Sequence, residues 1–299
     1  MINKAQTLDY VALGALALMW SSSFLFIKIA VQTLSPLTVS SGRMLTAALF
    51  LYLIMKIRGV SLPTDRQSWT FFALIGVIGN AVPFYLISWA ELEVDSSVAA
   101  ILIGSVPLSS FLIGHFATKD EKLTAPRLMG VLIGFAGIIV MIGPGALAEL
   151  GLNAFSQLAI VAGGFCYVSA SFIARKMPPM EPVSRAAGVL ITASLVSVPI
   201  CLVLDAPWRQ TPDLSSLTAV LVLGIFPTAI ATLLLFFVIM RAGATFVSLN
   251  NYINPVLGVA WGYLFFGEEP VSQTWGGLAL ITAGLIVTQL KRRKSITVS

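Results

Sequence analysis

The chain divides into ten runs of mostly apolar residues joined by short charged loops. Each run is close to the roughly 20 residues that a helix needs to cross a hydrocarbon core. They fall at 8–31, 36–57, 67–90, 96–117, 124–143, 155–175, 183–204, 215–239, 243–266 and 272–290. One soluble core could not bury them: 57% of the 299 residues are hydrophobic and only 10% charged, against about 25% charged in a soluble domain. Backbone groups in lipid must be satisfied within their own segment, so the expected fold class is an all-α integral membrane protein with ten transmembrane helices. The first run has no small-residue cleavage site after a short apolar core, so it reads as a retained span and not a signal peptide. Cys166 and Cys201 sit inside apolar runs and read as small hydrophobes, not as a disulfide.

Charge then gives the orientation. The loops assigned to one side hold all 18 basic residues except Lys28, Arg43 and Arg209. The loops assigned to the other side hold Glu91, Glu93, Asp95, Asp205, Asp213, Glu268 and Glu269, with Arg209 alone among the cations. This alternation follows the positive-inside rule and predicts a multi-pass plasma (inner) membrane protein with both termini in the cytoplasm. The sequence pI of about 9.4 therefore reflects topology. No basic stripe exists for nucleic acid to bind.

The runs repeat. Pro107 has a counterpart in Pro255, Glu121 in Glu269 and Gly76 in Gly224, each 148 residues later. An acidic turn (Asp120–Glu121, Glu268–Glu269) precedes the last run of each half, and Pro36 and Pro182 open the second run of each half. Two five-helix units result, 1–146 and 147–299. Five is odd, so the second unit enters the membrane from the opposite face and the repeat is inverted. Inverted repeats are a recurrent plan of secondary transporters, with the substrate site near the midplane between the halves.

The stretch "WSSSFLFIKIAVQTLSPLTVSSGRML" (20–45) has tryptophan, two small residues, a lysine eight positions on, then Ser-Pro and an arginine. "NPVLGVAWGYLFFGEEP" (254–270) closes the ninth run ahead of a glycine-rich helix. These segments, and the small-residue start of the fourth run through Pro107, resemble EamA-type members of the drug/metabolite transporter superfamily along essentially the whole chain. The resemblance implies export or facilitated movement of small metabolites, amino acids among them. It leaves the substrate open, because the pattern is mostly scaffold.

Residues of similar depth in different runs mark a candidate pathway: Trp20, Asn80, Ser105, Phe165 and Asn254 near mid-span, with Phe84 one turn beyond Asn80. Asn250 and Asn254 share a helix face extended by Trp261, while Asn251 lies about 100° around. The first-half counterparts of Asn250, Asn251 and Asn254 are Leu102, Ile103 and Val106, so the shared scaffold does not require amides there. Interhelical hydrogen bonding is the competing explanation, strongest for Asn251. Pro83, Pro107, Pro227 and Pro255 are expected to kink their helices, and Pro107 and Pro255 to free the carbonyls of Ile103 and Asn251. Aromatic faces with a few amides suit a zwitterion bearing an apolar or aromatic side chain.

Lys28, near the outer end of the first run, is expected either to snorkel or to attract carboxylates and gate. Arg43, two turns into the second, is expected to snorkel or to bond helix ends. No Asp or Glu falls in mid-membrane, which favours a facilitator, although Glu91 near the outer end is placed to serve as a proton carrier. The expected function is thus a secondary transporter working by alternating access on small amphipathic metabolites, most simply amino acids including aromatic and apolar ones. The alternatives are a proton-coupled drug/metabolite antiporter, an intramembrane enzyme, or a non-transporting membrane scaffold. An enzyme is disfavoured by a single histidine and the lack of H-E-x-x-H or G-x-S-x-G. Nothing calls for a cofactor or a metal. The expected partners are a small-molecule substrate and the bilayer, with the chain a monomer or a homodimer through its glycine steps.

Overall fold

In the computed structural model, which describes residues 6–117, 124–142, 152–247 and 249–289, the ten runs are helical. Helix α1 is Thr7–Ala30 and α2 is Pro36–Ile57. Helix α3 covers Arg66–Ala90 and α4 covers Ser96–Phe116, each interrupted once. Helices α5, α6 and α7 are Ala125–Ile142, Leu152–Ala174 and Pro182–Leu204. Helices α8, α9 and α10 are Leu214–Ala242, Asn250–Phe266 and Ser272–Gln289. Seven of these helices are long and apolar enough to cross a membrane, and shorter apolar stretches within α5, α9 and α10 make up the ten. The ninth helix is the one displaced from its expected bounds. Gly243, at φ 87°, ends α8, a one-turn helix at Ala244–Val247 intervenes, and α9 opens at Asn250. The Asp120–Glu121 turn, the boundary near 146 and the basic cluster at 291–294 lie outside the described residues.

Helix starts follow local chemistry. Ser35 caps α2 ahead of Pro36, and Asp65 and Asp213 cap α3 and α8 by accepting the Ser68 and Ser216 N–H groups, both at 2.8 Å. The Asp213 carboxyl is held down to about 2, chiefly by the Ser215 hydroxyl, then by the Ser216 N–H and hydroxyl and by Thr33. A depressed carboxylate stabilises above its ordinary range and loses that contribution as pH falls through its folded value, so this cap persists into strong acid.

Packing obeys the repeat. Helix α2 lies on α7, α4 on α9 and α5 on α10, while the α3–α6 contact is matched by α8–α1. Each self-pair is antiparallel. Thr38 meets Cys201 and Ser41 donates to the Ser197 carbonyl at 3.2 Å, so numbers rise along α2 as they fall along α7. Gly104 faces Pro255 and Gly258 faces Ala100; Gly137 faces Gly277 and Gly284 faces Gly130. Equivalent helices run in opposite directions only if the halves are inverted. Lipid supplies no hydrophobic drive between helices, so close approach through small residues carries the α5–α10 contact. A Cβ added at Gly137 would lie 2.8 Å from the Gly277 carbonyl oxygen, and one at Gly284 2.5 Å from that of Gly130.

The acidic loops clasp the two halves. Asp205 accepts the Thr38 N–H at 3.0 Å and the hydroxyls of Thr38 and Ser35, at the start of α2. Glu268 accepts the Ser96 N–H and hydroxyl at 2.9 Å and the Ser97 N–H at 3.0 Å, at the start of α4. Each carboxylate of the second half thus satisfies orphan donors of a first-half helix, where the helix dipole also favours negative charge. At the other end of the bundle Arg241 pairs with the buried Asp9 at 2.6 Å.

Candidate functional site

Each half meets the other where α3 and α8 leave regular geometry: the irregular turn of α3 packs on α6 and α7, and that of α8 on α2. Val77–Ala81 in α3 and Gly224–Ile230 in α8 are π-helical turns, directly after or including the equivalent glycines Gly76 and Gly224. Proline explains the widening. It lacks an N–H and its ring crowds the carbonyl four residues back, and Pro83 follows the first turn while Pro227 lies inside the second. A wider turn relieves the crowding, with the Val82 N–H reaching back to the Val77 oxygen. Side chains complete both turns alike. Asn80 Nδ2 donates to the Ile75 oxygen at 3.3 Å, and Thr228 Oγ1 to the Leu223 oxygen at 2.7 Å. The expected kinks at these two prolines are therefore π turns, which recur at functional sites.

Arg43 of α2 reaches both helices. It is 6% exposed; its Nε donates to Thr228 Oγ1 at 2.7 Å, and its guanidinium carbon lies 3.9 Å from the centre of the Phe84 ring. Phe84 in turn meets Tyr167 edge-on, ring centres 6.4 Å apart. The cluster draws α2 and α3 from one half and α6 and α8 from the other. The expectation that Arg43 snorkels or bonds helix ends is wrong: its partner is a mid-helix hydroxyl and an aromatic face covers it. Distance from a helix end does not tell which face a residue occupies, and this residue faces inward.

The other sequence candidates fall in three groups. Phe84 belongs to the Arg43 cluster, with Asn80 one turn away in the π turn. A second group lies along α9. Asn250 is 1% exposed, and among the described residues neither of its side-chain amide atoms has a partner; the buried Asn254 Oδ1 likewise has none there, and Asn251 is half-buried. Trp261 on the same helix donates to Ser21 Oγ at 3.0 Å, one position from the half-buried Trp20 of α1. Pro255 packs against Gly104 of α4. The third group is local: Ser105 sits at the break in α4 beside Pro107, its hydroxyl donating to the Leu102 oxygen at 2.6 Å, and Phe165 stacks on Phe135 of α5, ring centres 6.4 Å apart. Arg43, Tyr167 and Thr228 were absent from the sequence-derived set of binding residues. The signal available for Thr228 was its place opposite Asn80 in the repeat.

Lys28 caps a helix: its Nζ donates to the Glu91 and Val94 carbonyls at 2.8 and 2.9 Å, closing the C-terminal end of α3. The Glu91 side chain is fully buried, and among the described residues neither carboxylate oxygen has a partner. Burial pushes its carboxyl well above the ordinary range; Lys28 and Arg43 oppose that, and Glu268 adds to it. A raised carboxyl stabilises while protonated and costs stability as pH rises through its folded value. Thermal unfolding in detergent should therefore show the melting temperature falling as pH rises above the ordinary carboxylate range. Glu91→Gln should flatten that slope; an unchanged slope would assign it to another group.

Comparison with known proteins converges on one family. The pattern of the EamA-like transporter family matches residues 9–143 and 154–290. The uncharacterised inner membrane transporter YedA of Escherichia coli K12 is 28% identical over 283 residues, covering 93% of this chain and 90% of that one. A probable terminal-alkyne amino-acid exporter of Streptantibioticus cattleyicolor is 24% identical, covering 93% of each. A crystal structure superposes with a TM-score of 0.69 at 22% identity, spanning 97% of this chain and all of the other, which supports the shared fold.

Proposed function

We propose that this protein, which belongs to the EamA-like transporter family, carries small amphipathic metabolites, amino acids with aromatic or apolar side chains foremost, by alternating access. The termini face the cytoplasm, and the units 1–146 and 147–299 rock about a site between α3 and α8. The observation that carries this reading is the pair of π turns at equivalent places in the two halves, with a buried cation linking the α8 turn to an aromatic face of α3. Regular helices need neither. Trp20, Phe84 and Phe165 would supply apolar faces, Asn80 and Ser105 polar edges, and Asn250 and Asn254 amides whose buried atoms stand ready for a ligand. Asn251 is the weakest of that set. Lys28, Pro83, Pro107, Pro227 and Pro255 would set the ends and bends that move.

Reconstitution into proteoliposomes tests the reading, with entrance counterflow measured for a panel of labelled amino acids, amines and organic acids. The expected result is transient accumulation of label driven by unlabelled aromatic or branched-chain amino acid inside. If nothing in a broad panel moves faster than through empty liposomes, the proposal fails. Asn254→Ala should reduce counterflow roughly tenfold at unchanged folded yield, the effect of one lost hydrogen bond of about 1–1.5 kcal/mol. A matching loss of yield would return Asn254 to packing.

A further inference from the structure

We infer that Arg43 anchors a carboxylate of the transported molecule, so that the protein selects carboxylate-bearing amphipaths over the corresponding amines and neutral amides. This rests on the transport reading above and narrows its substrate class.

The repeat supplies a control. Counted from Pro36 and Pro182, which open α2 and α7, Arg43 corresponds to Val189 and Thr46 to Thr192, each 146 residues later. The backbone crossings at these positions are equivalent. A Cβ on Gly76 would lie 2.8 Å from the Val189 oxygen, and one on Gly224 2.8 Å from the Arg43 oxygen. One half builds the crossing with valine, so the scaffold needs no cation there. The charge belongs to this half alone.

Keeping it is costly. A cation buried in a membrane protein normally pairs with a carboxylate or reaches the interface, and Arg43 does neither: among the described residues its polar contact is the Thr228 hydroxyl. Glu91 acts on it electrostatically but makes no ion pair with it. Phe84 and Thr228 fix the plane of the guanidinium on two sides. With Nε engaged, four N–H donors on the two terminal nitrogens remain without an assigned partner. That planar fork fits a carboxylate bidentately, which an ammonium would not do. Tyr167, edge-on to Phe84, extends an aromatic wall beside the fork for an apolar side chain.

The test is competition against labelled phenylalanine counterflow by phenylalanine, its amide and phenethylamine, in wild type, Arg43→Met and Arg43→Lys. Wild type should prefer the acid over both analogues by at least tenfold. Arg43→Met should raise the half-saturation for the acid about ten- to hundredfold while leaving the amide within a factor of two, and Arg43→Lys should recover part of the preference. A wild type that does not distinguish acid from amide overturns the anchor while leaving transport intact. So does an Arg43→Met protein that is folded and loses acid and amide equally. If Arg43→Met does not fold, Arg43→Lys and the wild-type preference still decide. Absence of counterflow for every solute removes the transport reading itself.

Discussion

Gly284→Leu should abolish recovery of folded protein, and Gly284→Ala alone should lower stability by about 3 kcal/mol or more. An added Cβ would lie 2.5 Å from the Gly130 oxygen and 2.7 Å from the Gly134 nitrogen, both backbone atoms of the facing helix. Overpacking usually costs about 1–3 kcal/mol because side chains shift to absorb it. Here no side chain can yield, so α5 and α10 must part. Gly137→Ala should behave alike, since its Cβ would meet the Gly277 oxygen and the Ile281 nitrogen. Gly14 has nothing within 4 Å of an added Cβ, so Gly14→Leu is the control and should be tolerated. Monodispersity and melting temperature in detergent read all four. Equal behaviour of Gly14 and Gly284 variants would show that the α5–α10 approach is not a close-packed contact.

Removing the clasp made by Asp205 and Glu268 should shift the protein toward a state open on that side. Asp205 and Glu268 cap helices of the opposite half, and each cap is worth about 0.5–2 kcal/mol. Losing both would bias the access equilibrium by up to about 3 kcal/mol, or roughly a hundredfold in population. The native thiol of Cys201 reports this directly, since it is buried in the clasp with Sγ 3.5 Å from the Thr38 hydroxyl. In a Cys166→Ser background, a membrane-impermeant maleimide should label Cys201 slowly in the parent and at least tenfold faster in Asp205→Asn/Glu268→Gln. Unchanged labelling would mean that the carboxylates cap helices without holding the halves together.

The sequence made the helices easy to find and their faces hard to assign. Long apolar runs set the ten spans because length and hydropathy alone suffice in a bilayer. The start of α9 escaped because Gly243–Leu249 is as apolar as its neighbours, and only a backbone turn with no change of polarity separates them. Pro83 and Pro227 were visible as disruptions, yet they are not aligned with each other. What aligns is the π turn that accommodates each, and hydropathy carries no trace of it. Asn80 shows a second limit. Depth placed it near the middle of its span, but depth cannot reveal that its amide reaches its own helix at Ile75. Arg43 was misjudged from its distance to the helix end, while its pairing with Val189 in the repeat already marked it as a charge that one half can do without.

Alternating access of the two halves is tested most directly by two spin-label distances measured in the same membranes with and without a transported amino acid. One pair, at the exposed Leu92 and Trp208, spans the clasped face; the other, at the exposed Ile57 and Met240, spans the opposite face. The expected result is two populations whose distances change in opposite senses, the Leu92–Trp208 pair lengthening as the Ile57–Met240 pair shortens, with substrate altering their ratio. Single, substrate-independent distances in both pairs under conditions where transport proceeds would contradict a rocking carrier and point to a static pore.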